Sequence, residues 1–204
     1  MTLLNSLIAA TNELGKGYRF PFLTFVVALA VSWFLTPWVR KLAIDKGAVD
    51  DPKRDDRRIH KEPLPRWGGL AIYAGIVFSL LVVLPFAYPF QPFPPYLWGI
   101  IGVGAVLVGV GALDDLYQYS AKIQLLVLLA AGVAVQFFYN GIGRVQINTL
   151  GIPFMDGAFL DVKAWWLAVP LTAIYIFVVT KTMDTIDGVD GLAAGIATIS
   201  ATTL

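Results

Sequence analysis

Six apolar runs, at residues 22–39, 70–84, 96–113, 123–138, 164–179 and 192–204, leave this 204-residue chain few ways to fold. Lipid offers no partner to an open strand, so a segment inside it must satisfy its own N–H and C=O groups, and a helix does so within one segment. With 57% apolar residues, only 14% charged residues and a mean hydropathy of +0.71, the composition excludes an ordinary soluble domain. A crossing takes about 20 residues, so the shorter runs must borrow from their flanks or lie in a thinner part of the bilayer. The expected fold is an all-α integral membrane protein, a polytopic bundle of about five complete transmembrane helices plus a truncated sixth. The last run, 192–204, is too short to cross and reads as a helix cut within its length, so the chain reads as a single membrane domain without a soluble one, the N-terminal part of a larger protein. Residues 1–10 are mildly apolar but lack a basic leader and a small-residue cleavage site, against a removable signal peptide. The absence of cysteine excludes a disulfide framework and a thiolate site.

Charge orients these helices. Nine of the 15 basic residues are Arg40, Lys41, Lys46, Lys53, Arg54, Arg57, Arg58, Lys61 and Arg66, which marks the first long loop as cytoplasmic. Alternation from there makes the turn at 114–122 and the segment at 181–191 cytoplasmic too. Lys122 and Lys181 then lie inside, and Lys16, Arg19, Arg144 and Lys163 outside. On the outer side, Pro85, Pro89, Pro92, Pro94 and Pro95 favour an extended crossing over a helix. Residues 143–162 alternate in part and carry Gly151, Pro153 and Gly157, the pattern of a small external β-hairpin.

Three charged constellations therefore share the inner face. Asp184, Asp187 and Asp190 stand at steps of three, within about a third of a helix's circumference, with Gly188 and Gly191 to break or bend that helix. Ionised Asp at a helix centre costs roughly 2.5–3.5 kcal/mol on insertion scales, so such residues belong at an aqueous edge or in a polar cavity and serve a function there. An EF-hand does not fit, because alternate oxygen ligands and a Glu at the twelfth position are missing. Asp114 and Asp115 form the second constellation. Adjacent carboxylates repel, which a cation or a shared proton relieves, and their oxygens suit Mg²⁺; the plainer reading is that one of them caps the helix starting near Ser120. The third is the loop 50–69, which mixes cations with the only histidine, His60, and ends in Gly68 and Gly69. Its cations are either a solvated positive-inside loop or a cradle for a lipid phosphate or nucleotide pyrophosphate. Gly99, Gly102, Gly104, Gly109 and Gly111 read as a close helix-packing face.

Together these blocks resemble the polyprenyl-phosphate N-acetylhexosamine-1-phosphate transferases, glycosyltransferase family 4, over most of the chain. Residues 60–72, from His60 and Lys61 through Arg66 and the glycine pair, resemble the family's first cytoplasmic loop. Their form is closer to the undecaprenyl-phosphate GlcNAc-1-phosphate transferase branch than to the phospho-N-acetylmuramoyl-pentapeptide translocases. Asp114 and Asp115 resemble its aspartate pair, with Lys122 near its downstream lysine, and residues 187–195 resemble its most specific motif. The chain departs at Gln118, where a third Asp is common, and at Lys181 and Asp184, where asparagines are common. The family's later metal-binding aspartate and histidine-rich loop would lie beyond Leu204, so this chain alone is expected to be inactive.

The resemblance implies transfer of N-acetylhexosamine-1-phosphate, GlcNAc-1-phosphate in the favoured form, from a UDP-sugar to undecaprenyl phosphate. The products are a lipid-linked sugar pyrophosphate and UMP, the first membrane step of a cell-envelope glycan such as lipopolysaccharide or teichoic acid. It implies Mg²⁺ (or Mn²⁺), a bacterial cytoplasmic (inner) membrane and an active site on the cytoplasmic face. Asp114, Asp115 and Asp187 are then the catalytic candidates, with Asp114 and Asp115 also the metal ligands. His60, Lys61, Arg66, Lys122, Asp184 and Asp190 bind substrate. Direct attack and a covalent aspartyl-phosphate route both remain open. The glycine-rich third run leaves room for a homodimer; nucleic acid is not an expected partner. The rival readings are a membrane transporter, which needs carboxylates near mid-span, and a non-catalytic lipid-phosphate-binding subunit.

Overall fold

A computed structural model describes residues 2–50, 64–87, 93–139, 143–151, 159–162, 164–186 and 191–203, with side chains from Arg19 onward except Phe159. These residues build an all-α polytopic membrane protein with two small sheets. Four helical segments are long and apolar enough to cross a membrane: Arg19–Lys46, Gly68–Ala87, Pro95–Tyr117 and Trp165–Ile186. Ala121–Phe137 and Leu192–Thr203 are shorter apolar helices. The chain packs into two compact units, Met1–Phe93 with Val108–Gln118, and Pro94–Leu107 with Tyr119–Leu204.

The first unit starts with α1 (Thr2–Lys46), a helix of 45 residues that continues through Pro21 and Pro37. Each proline removes one backbone donor, but breaking the helix in lipid would strand several more groups, so continuity is the cheaper state. The hydroxyls of Thr24 and Thr36, beside these prolines, donate to the Phe20 and Ser32 carbonyls at 2.8 and 2.7 Å. The end of α1 is a Schellman motif: Gly47, at φ 77°, donates to Ile44 O, and Ala48 donates to Ala43 O at 2.8 Å. Ala43 and Ala48, the two residues joined by that bond, are both fully buried. The chain leaves it directly into β1 (Val49–Asp50), paired antiparallel with β2 (Leu64–Pro65). Strands this short carry no readable period, so the pairing was not expected from sequence.

Next, α2 (Gly68–Ala87) buries Ala71, Gly75, Ser79 and Val83, a stripe at steps of four. This stripe faces α1: the Ser32 hydroxyl donates to Ala71 O at 3.2 Å, and a Cβ on Gly75 would lie 2.7 Å from Ala28 O. The helix runs through Pro85 to Ala87, further than the proline-rich sequence predicts, because a proline in the last turn costs only one bond. Helix α3 (Pro95–Tyr117) then begins with proline at its first position, where the missing donor is harmless.

In the second unit, α4 (Ala121–Ala134) continues as a 3₁₀ turn, Val135–Phe137, and packs on α5 (Trp165–Ile186). Gly132 is the point of close approach, 2.8 Å from Ala173 Cα to an added Cβ. The buried Gln136 amide spans the two helices by donating to Gly132 O and Val169 O at 2.7 and 3.2 Å. Between them, β3 (Thr149–Gly151) and β4 (Phe159–Asp161) form the expected antiparallel pair, with Leu150 opposite Leu160. Thr172 ties this segment to α5, taking the Ile147 N–H at 2.9 Å and donating to Ala168 O at 2.7 Å. A last helix, α6 (Leu192–Thr203), follows Gly191, whose φ of 80° realises the expected break.

The glycine face expected on α3 is only partly used. An added Cβ on Gly99 would meet Phe138 at 2.6 Å, whereas Gly102, Gly109 and Gly111 have open space. The tightest helix approaches fall at Gly75 and Gly132 instead, each alone within an apolar run.

Candidate functional site

In the first unit the loop and the aspartate pair meet. Asp114 and Asp115 lie in the last turn of α3, so neither caps α4, whose N-cap is Ser120. Helix α3 stops immediately after them because Gln118 adopts a left-handed φ of 52° and donates its N–H to Asp114 O at 2.7 Å. Against this turn stands the hairpin end. Arg66 donates its backbone N–H to Ala48 O at 3.0 Å, and the Trp67 indole donates to Ala112 O at 3.1 Å, one turn before Asp115. The Arg66 guanidinium donates Nη2 to Asp50 Oδ1 at 2.7 Å, and its Nη1 lies 3.8 Å from Asp115 Oδ1. About a third of each of these three side chains is exposed, so the cluster opens to solvent.

In the second unit, Lys181 joins the start of α4 to the end of α5. Its ammonium donates to Gln124 Oε1 at 3.1 Å and to Asp184 Oδ2 at 2.5 Å. Lys122, exposed in the first turn of α4, stands at one end of an open apolar flank of that helix that continues along Leu125, Leu129, Val133 and Phe137.

Sequence reasoning put the loop and the aspartate pair on one face, and the structure brings Arg66 of the first beside Asp115 of the second. Sequence reasoning also expected Asp184 at a helix end. It missed Asp50 as a partner of Arg66 and Gln124 as a partner of Lys181. The first pairing spans 16 positions and the second 57, beyond any local periodicity. His60, Lys61, Asp187 and Asp190 lie outside the described residues. Among the described residues, no group of three His, Cys, Asp or Glu side chains is placed to hold a metal. The transporter reading wants carboxylates near mid-span, yet Asp114, Asp115 and Asp184 all occupy the last turns of their helices.

Apolar crossing helices with carboxylate–cation clusters at their ends define a polytopic membrane protein with polar chemistry at the helix termini. Residues 97–204 match the model for Glycosyl transferase family 4, and the chain belongs to that family. A probable undecaprenyl-phosphate N-acetylglucosaminyl 1-phosphate transferase of Bacillus subtilis is 36% identical, over 88% of this chain and 46% of its own length. A decaprenyl-phosphate N-acetylglucosaminephosphotransferase of Mycolicibacterium smegmatis is 31% identical over 97% of this chain and 48% of its own length. An undecaprenyl-phosphate alpha-N-acetylglucosaminyl 1-phosphate transferase of Escherichia coli is 29% identical over 80% of this chain and 40% of its own length. The chain thus spans about half the length of the curated relatives it matches. No solved structure matches it significantly.

Proposed function

We propose that the protein in its full length transfers GlcNAc-1-phosphate from UDP-GlcNAc to a polyprenyl phosphate, undecaprenyl phosphate in a bacterial inner membrane, at a site on the cytoplasmic face. The observation that carries this reading is Arg66 beside Asp115 at the end of α3, in a chain of this family. A phosphate oxygen of the lipid attacks the β-phosphorus of the UDP-sugar. The new P–O bond forms as the bond to the bridging oxygen breaks, and UMP leaves. The lipid monoester loses its second proton at a pKa of about 6, so at neutral pH only a fraction of it needs a base. Asp114 or Asp115 takes that proton or helps hold a metal.

Oxygen donors of this kind fit Mg²⁺, which accepts one or two carboxylates and fills its shell with water and substrate phosphates. Asp114 and Asp115 would hold it, and when bound it supplies charge neutralisation between two polyanions. Arg66 adds a fixed positive charge beside them. Lys122, at the head of the apolar flank of α4, suits the lipid phosphate and the start of its isoprenoid chain. Asp184, held by Lys181, orients the nucleotide side together with Asp187 and Asp190.

A radiolabelled UMP exchange assay on the full-length protein tests this. Exchange that requires a divalent cation and falls at least about a hundredfold in Asp115→Asn and Asp187→Asn supports the assignment, as expected where charge stabilisation is removed from a phosphoryl-transfer site. Undiminished exchange in both variants sinks the assigned roles, and cation flux without exchange points to a transporter.

A further inference from the structure

Arg66 is held on three sides, and each contact has a different purpose. Its backbone is fixed by the bond to Ala48 O, and the next residue, Trp67, is fixed to α3 through Ala112 O. The hairpin end therefore stays on α3 without help from the Arg66 side chain. That side chain is a planar fork with two donor edges. One terminal nitrogen, Nη2, makes a short charge-assisted hydrogen bond of 2.7 Å to Asp50 Oδ1. The other, Nη1, is 3.8 Å from Asp115 Oδ1, close enough for attraction but too long for a hydrogen bond. An arginine serving as a strut between two carboxylates would bond both. This one is tight at one end and loose at the other.

We infer that Asp50 is a positioning residue: it anchors one edge of the Arg66 guanidinium so that the other edge stands beside Asp115, ready to receive a phosphate oxygen. This rests on the transferase reading above for its substrate and assigns a role to a residue of the loop 50–69 that is not among the candidate site residues. In this role Asp50 acts through Arg66, and it is placed to do so by the Schellman turn at Gly47, which turns α1 into β1. The ligand class is an anionic phosphoryl group. A flexible arginine would lose rotamer freedom on meeting such a group, and an arginine already held by Asp50 loses less.

The test uses the full-length protein in detergent with Mg²⁺, titrated with inorganic pyrophosphate, with KM and kcat for both phosphate substrates measured separately. Asp50→Asn and Arg66→Lys, which keeps the charge but loses the fork, should each weaken pyrophosphate binding and raise a substrate KM about tenfold while changing kcat less than about threefold. Asp50→Glu should restore most of the loss. Asp50→Asn added to Arg66→Ala should produce no further loss, because a residue acting only through another has nothing left to act on. Thermal unfolding of each variant separates this pattern from damage to the fold, which would lower kcat and stability together and would not be rescued by Glu. Wild-type affinity in Asp50→Asn, additive losses in the double variant, or no pyrophosphate binding by the wild type overturns the inference. Pyrophosphate binding needs no turnover, so a protein that binds it in this pattern yet transfers no sugar phosphate would contradict the proposed function and leave the role of Asp50 standing.

Discussion

Gly75 is where α1 and α2 come closest, and replacing it with alanine gives a magnitude that the structure sets. A Cβ built there overlaps Ser32 Oγ and lies 2.7 Å from Ala28 O. The hydroxyl can rotate away, at the expense of its 3.2 Å bond to Ala71 O, an interhelical bond worth about 0.6 kcal/mol in a membrane protein. The Ala28 carbonyl is backbone and cannot. Restoring an ordinary C···O separation of about 3.3 Å moves the helices apart by about 0.6 Å, and overpacking of this kind costs about 1–3 kcal/mol. Alanine's better helix propensity returns about 0.5–1 kcal/mol, so Gly75→Ala should destabilise by about 1–3 kcal/mol. The assay is thermal or SDS-induced unfolding of the purified protein, with Gly102→Ala as control, since nothing lies within 4 Å of a Cβ there. Adding Ser32→Ala to Gly75→Ala should recover less than about 1 kcal/mol, because the carbonyl contact remains. Equal stability of Gly75→Ala and Gly102→Ala would refute the close approach and the reasoning built on it.

Other perturbations separate the remaining contacts. Gln118→Gly should raise the unfolding midpoint by relieving a left-handed residue that costs about 1 kcal/mol, while Gln118→Val should lower it. Trp67→Phe removes the indole bond to Ala112 O and should cost about 1 kcal/mol by the same measurement, loosening the hairpin end from α3. Thr172→Val deprives the Ile147 N–H of its acceptor and should cost about 1–3 kcal/mol, with faster hydrogen exchange at Ile147. Lys181→Met breaks a bridge whose side chains are 36% and 65% exposed, so solvent screening should keep the stability loss below about 1 kcal/mol. UMP exchange should fall more than stability does in that variant.

The membrane class was legible because apolar runs near crossing length admit few structures, and the β3–β4 pair because turn-forming residues such as Pro153 and Gly157 lie between its strands. Helix boundaries were less so. Pro85 was expected to open an extended crossing, yet it lies inside α2, as Pro21 and Pro37 lie inside α1, where lipid penalises a break more than a missing bond. Among the described residues, the closest helix approaches do not fall in the clustered glycines. A cluster of glycines on α3 looked like the contact face, but close approach needs one small residue opposite another backbone, and Gly75 and Gly132 satisfy that singly. Asp114, Asp115, Arg66 and Asp184 stood out as charges in an apolar chain. Their partners Asp50 and Gln124 did not, because which acceptor meets which cation is decided by the turn after α1 and by the packing of α4 on α5.

The two polar clusters follow one electrostatic logic. A carboxylate in the last turn of a helix stands at the negative end of the macrodipole, which makes it unfavourable there even before the cost of a nearby bilayer. Asp115 at the end of α3 and Asp184 at the end of α5 both occupy such positions, and each has a cation beside it, Arg66 and Lys181. In each case the cation donates to an acceptor on a different element, Asp50 on β1 or Gln124 on α4. That acceptor fixes the cation in space, so the positive charge does not follow the helix-end carboxylate if that group turns to another ligand. Helix ends arranged in this way hold acidic groups where stability alone would disfavour them, and the proposed reaction between two phosphates is one that would need such groups.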